Sequence, residues 1–110
     1  MRRVAANMVC KNVTEFHKYH IVELCEHIVV NHYALTEELD MTEWLGGTIL
    51  LANVKDIDIN TTKSVEDFYE SIASCEKSPF LFAYHTQKVL PFSTKLSTDD
   101  SSGNCHIKRL

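Results

Sequence analysis

Apolar and polar positions alternate along much of this chain, and the clearest run is 19–35, YHIVELCEHIVVNHYAL. Tyr19, Ile21 and Glu23 fall on one side, and His20, Val22 and Leu24 on the other. Ile28, Val30, His32 and Ala34 alternate in the same way with Val29, Asn31, Tyr33 and Leu35. A period of two is the period of a strand. The β-branched and aromatic content agrees with it. The stretch therefore predicts a hairpin folded on Cys25-Glu26-His27, although no glycine or Asn-Gly is present for a primed turn. Ile21, Leu24, Cys25 and Ile28 also fit a period of 3.6, so a helix over 19–30 is the alternative.

The same reading extends along the chain. Arg3 to Val9 is a first strand whose short side chains suit close packing or a central place. Lys11 to Lys18 is a polar loop or strand start, and 36–40, TEELD, an acidic connection with Thr36 as an N-cap. Trp44-Leu45 and Thr48 to Leu51 are strand-like on either side of Gly46-Gly47. Paired glycines there predict a bulge or bend, with close approach of a ligand as the functional alternative.

The helical period is clearest at 65–75. Val65, Phe68, Tyr69, Ile72 and Ala73 form one apolar stripe, Ser64 and Asp67 a short capping box, and Ser78-Pro79 a stop. Burial of Phe68 and Ile72 stabilises by ~2 kcal/mol each. Phe80 to Val89 predicts a last long strand, which Pro91 ends or places at an edge. Residues 93–104 are rich in Ser, Thr and Asp, and His106 to Leu110 returns as a short edge strand. The expected fold is α+β: a mainly antiparallel sheet of about five strands with one amphipathic helix (65–75) packed on one face. Residues 1–92 form the single domain and 93–110 a flexible polar tail.

Composition narrows the function classes. The 110 residues are 45% hydrophobic and 24% charged, with a net charge of −4. That is the profile of one soluble globular domain. The basic residues are scattered, apart from Arg2-Arg3 and Lys108-Arg109. A nucleic-acid backbone requires a basic face, so no nucleic-acid partner is expected. No signal peptide and no membrane span are visible. Cys10, Cys25, Cys75 and Cys105 form no C-x-x-C pair, so free thiols in a cytoplasmic protein are expected.

Candidate chemistry is sparse. Asp56, Asp58 and Asn60 have the spacing of positions 1, 3 and 5 of a calcium loop, with Ser64 at 9 and Asp67 at 12. Thr61 stands where such a loop has glycine, and Asp67 is shorter than the usual glutamate. Six histidines invite a zinc reading. His17 and His20, three apart, point to opposite faces of a regular strand. Cys25 and His27 could share a face, but a second pair would have to be Cys105 and His106. The same Cys25 and His27 are the candidates for a small cysteine enzyme. No P-loop, G-x-G-x-x-G or G-x-S-x-G is present, and no cofactor is expected.

The segments RRVAANMV, YHIVELCEHIVVNHYALTEEL and MTEWLGGTI, with a fainter echo in FLFAYH and KRL, resemble a group of short uncharacterised gut-bacterial (Bacteroidales-like) proteins. The first two segments also resemble the opening strands of amidohydrolases, where a small β-sandwich precedes the catalytic barrel. That likeness implies a β-rich fold and no activity, because the His-x-His metal motif is missing. The expectation is a non-enzymatic binding or protein-interaction module that takes a protein partner through a sheet edge at Arg3 or along Phe80–Val89. A calcium-binding protein is the alternative.

Overall fold

A computed structural model of the chain describes residues 1–36, 41–57, 61–89 and 105–110. The elements in chain order are β1 (Arg2–Cys10), β2 (Phe16–Cys25), β3 (Ile28–Ala34), β4 (Thr42–Trp44), β5 (Thr48–Ala52), β6 (Thr61–Thr62), α1 (Val65–Ser71), β7 (Phe82–Thr86), β8 (Cys105–His106) and β9 (Lys108–Arg109). No helix among the described residues is long and apolar enough to cross a membrane.

Seven strands form the main sheet, in the order β3-β2-β1-β5-β7-β9, with β4 also paired to β1. β1 runs parallel to both β4 and β5. The sheet is therefore mixed, with antiparallel pairings still the majority as expected, and larger than the five strands expected. The parallel pairs join segments some 40 residues apart, a long-range choice that local alternation does not encode. β1 is flanked on both sides, which suits the short side chains of Ala5 and Ala6, both buried. Arg3 consequently lies in an interior strand, and β7 lies between β5 and β9. Neither is the edge expected of it.

β4 and β5 are one strand interrupted at Gly46-Gly47. Ala5 pairs with Trp44, but Met8 pairs with Thr48, so β4–β5 carries one extra residue against β1. Both glycines have positive φ, 71° and 64°. A Cβ on Gly47 would lie 2.1 Å from Thr86 O, so the backbone of β7 fills the space that a side chain would need. The bulge reading holds, and the close approach comes from the protein's own strand.

The hairpin β2–β3 forms as expected, on a two-residue turn. Glu26 and His27 take φ of 50° and 74°, the primed conformation without its preferred residues. His27 Nδ1 donates to Leu110 O at 2.8 Å and steadies that strained loop. Nearby, Val29 N donates to Leu81 O at 2.8 Å and Leu110 N to Ala83 O at 2.9 Å. The sheet thus curls until β3 meets the segment leading into β7.

Two cores result. Met8, Cys10, Leu50, Ala52, Phe82 and Tyr84 of the sheet pack with Val65, Phe68 and Ile72 of the helical segment, and Ile107 joins them. The helix covers one face as expected but ends at Ser71, with Ile72 as C-cap, and Ala73 is exposed. Ser64 caps its start by accepting from Asp67 N. On the other face Val4, Ala6, Val9, Val22, Leu24, Ile49, Leu51 and Ala83 form the second core. The terminal strand expected over 106–110 corresponds to β8 and β9, where Arg109 pairs with Tyr84.

Candidate functional site

The second core runs into a cluster of three imidazoles. In β2, His20 pairs with Ala6 and His17 with Val9; His32 of β3 pairs with Val22. Directly paired residues point to the same face, so all three rings border that core. His17 and His20 stack with centroids 4.6 Å apart. The His32 ring lies 5.1 Å from His20 and 6.3 Å from His17. His20 Nε2 and His32 Nδ1 share a hydrogen bond of 2.9 Å.

This corrects the expectation that His17 and His20 diverge. Tyr19, between them, has φ of 50°, and the pair Asn7–Tyr19 is missing from an otherwise regular ladder. The alternation slips once at this point in both strands. In β1 the slip puts Val9 with Val4 and Ala6, while Met8 joins the helix-side core. In β2 it brings residues three apart onto one face. Tyrosine seldom takes a left-handed conformation, so no sequence signal marks the slip.

The electrostatics follow from burial. His20 is 6% exposed, and its Nδ1 finds no partner among the described residues. Burial, then the neighbouring His17 and His32, pushes its pKa down to about 4. His32 is lowered as well, by burial, then by Lys11 and His17, with Glu15 acting in the opposite sense. Glu15 reaches the rim of the cluster, 3.4 Å from His17 Nε2, and Lys11 lies 3.8 Å from Glu15.

A second feature lies beside the Tyr19 slip. Tyr19 stacks on Trp44 with centroids 6.4 Å apart, and the two residues are 55% and 53% exposed. Both carry large apolar rings at the surface, and Met41 next to β4 is also exposed. β4 pairs only with β1 among the described residues. Leu45 N donates to Ala5 O. Successive residues of a strand aim their amide groups to opposite sides, so those of Thr42 and Trp44 face away from β1. An ion-pair group flanks the patch: Glu23 accepts from Arg3 Nε at 3.1 Å and from the Tyr33 hydroxyl at 2.5 Å. The Tyr33 hydroxyl first, and Arg3 after it, hold the Glu23 carboxyl below the usual carboxylate range.

The sequence candidates are placed elsewhere. Asp56 is exposed, 3.4 Å from Arg109 Nη1. Asp67 Oδ2 accepts from Thr62 Oγ1 and Lys63 N at the start of the helix. Asp58 and Asn60 lie outside the described residues, as does most of the acidic 36–40 segment. Cys25 is exposed at the turn, and His27 there is engaged with Leu110 O. His106 is exposed on β8. Among the described residues, no group of three or more His, Cys, Asp or Glu is arranged to hold a metal ion. Comparison with known protein families, curated proteins and solved structures returns no match for this chain.

Proposed function

We propose that the chain is a non-enzymatic binding module that takes an extended peptide segment of a protein partner along β4. The observation that carries this reading is the stacked, half-exposed Tyr19–Trp44 pair beside a strand that, among the described residues, is paired on one side only. Tyrosine and tryptophan supply large contact area at low entropic cost and dominate interface energetics. A one-sided strand offers main-chain groups to an added strand. Two of the four thiols support a non-catalytic reading: burial pushes Cys10 up to about 12, far from a thiolate at neutral pH, and the histidine nearest Cys25 in sequence is committed to Leu110.

Trp44 is the sole tryptophan, so its emission reports directly on this surface. Panning a displayed random-peptide library against the folded chain should yield extended peptides that shift Trp44 emission. Trp44→Pro removes the outward amide and the ring while leaving the Leu45-to-Ala5 bond, and should abolish their binding. Tyr19→Ser should weaken it about tenfold, the range of one lost interface aromatic. Peptides that bind both variants as tightly as the parent chain would overturn the reading.

A further inference from the structure

The histidine cluster sits where, among the described residues, β3 is held by β2 alone. The pairs His20–Ala34, Ile21–Tyr33 and Val22–His32 tie this half of the strand, with Leu35 N donating to Tyr19 O at 2.8 Å. The other half is anchored twice, through Val29 to Leu81 and through His27 to Leu110. Among the described residues, the Tyr33 hydroxyl donates to Glu23 on the far face of the first half, and one side-chain bond crosses that half on the cluster's face, between His20 Nε2 and His32 Nδ1.

That bond needs one proton shared between two nitrogens, so both rings are in play. When both imidazoles are protonated, each nitrogen carries a hydrogen, and two donors face each other at the observed 2.9 Å. Among the described residues facing the cluster, Glu15 alone favours protonation, and it sits at the rim. β1 contributes only Ala6 and Val9. β2 contributes His17, a third titratable ring stacked on His20. The 11–15 turn contributes Glu15, which lies 3.4 Å from His17 Nε2 and favours protonation of His32, and Lys11, whose charge outweighs Glu15 at His32 and opposes it.

We propose that this cluster is an acid-operated latch on β3: proton uptake by His20 and His32 breaks their shared hydrogen bond and releases the 31–35 end of β3 from β2. Release uncovers Val22 and the free border of β2 as an apolar, hydrogen-bonding edge. It leaves the helix-side core closed, because that core is sealed by tyrosine hydroxyls and contains no imidazole. The depressed pKa of His20 is the energetic counterpart of this geometry.

Hydrogen exchange read by mass spectrometry at pH 7.5, 6 and 5, corrected for intrinsic rates, tests the latch on the whole chain. Exchange in 29–36 should rise with acid, by at most about tenfold per pH unit for each proton taken up. Exchange in the helix, 65–72, which packs on the core that contains no imidazole, should stay flat. His20→Leu should abolish the rise. His17→Gln, a substitution at a partly exposed position, should weaken it by removing one facing charge. Flat exchange in 29–36 across this range would overturn the proposal. So would an equal rise in 65–72, or a wild-type profile retained in His17→Gln.

Discussion

The two faces of the sheet are sealed by different chemistry. On the helix side the tyrosine hydroxyls that reach the core each have a carbonyl to donate to, and the buried Thr48 hydroxyl on the same face donates to Lys88 O. Tyr69 reaches Leu51 O at 2.6 Å and Cys10 O at 3.0 Å; Tyr84 reaches Val54 O at 2.6 Å and Lys55 O at 2.9 Å. Burial pushes both phenols upward, so neither changes charge near neutral pH. On the opposite face the core ends in His17, His20 and His32, and one buried nitrogen, His20 Nδ1, has no partner among the described residues. The first arrangement is indifferent to mild acid. The second favours neutral His20 and His32. A sheet built this way has one permanent face and one conditional face.

The sharpest way to break the contrast is to damage the permanent face. Phe68 is fully buried, and Phe68→Ala should cost about 3–5 kcal/mol by loss of burial and creation of a cavity. Urea unfolding should then show a midpoint drop that is the same at pH 7.5 and pH 6, because no titrating group is touched. A smaller loss, of at most ~3 kcal/mol, is expected from acid acting on the conditional face. His20 titrates near 4 when folded, against an ordinary value of about 6.5. Between those values the unfolded chain binds a proton that the folded chain does not. The stability contributed by neutral His20 is therefore complete above pH 6.5 and falls progressively toward pH 4. Urea midpoints of the parent and His20→Leu should diverge at neutral pH by the packing difference alone and converge or cross as the pH falls through that window.

The glycine bulge offers an internal control for backbone effects. Gly47→Ala forces a Cβ to within 2.1 Å of Thr86 O and should cost more than ~2 kcal/mol, since backbone must move. Gly46→Ala meets nothing nearer than 3.5 Å and pays mainly for its positive φ, about 1 kcal/mol. Thermal melts of the two variants should rank in that order. The smallest effect concerns the calcium reading. Asp67→Asn weakens the bonds from Thr62 and Lys63 at the helix start and should cost ~1 kcal/mol. A cap predicts the same loss in calcium and in chelator. A loss confined to calcium would favour metal binding through Asp56 and Asp67 instead.

What was legible in the sequence was local. The stripe Val65, Phe68, Ile72 marked the helix because its period is set within a single element. Gly46-Gly47 marked the bulge because only glycine is at ease at positive φ with a neighbouring strand in van der Waals contact. The parallel pairing of β1 with β4 and β5 was not legible, because it depends on which distant segments meet. The histidine cluster was hidden for a different reason. Strand alternation places His17 and His20 on opposite faces, and only the left-handed Tyr19 reverses that. A tyrosine there carries no propensity for the conformation, so tertiary packing imposes it. The same holds for Glu26 and His27, which form a primed turn without the residues that favour one.

The central claim is that one face of the sheet depends on buried neutral imidazole. Nuclear magnetic resonance titration of the histidine side chains from pH 8 to pH 4 tests it most directly. The account predicts that His20 stays neutral through pH 6 and takes up its proton near pH 4, together with loss of the His32 hydrogen bond. Titration of His20 at the ordinary value of about 6.5, with the β2–β3 amide signals unchanged, would contradict it.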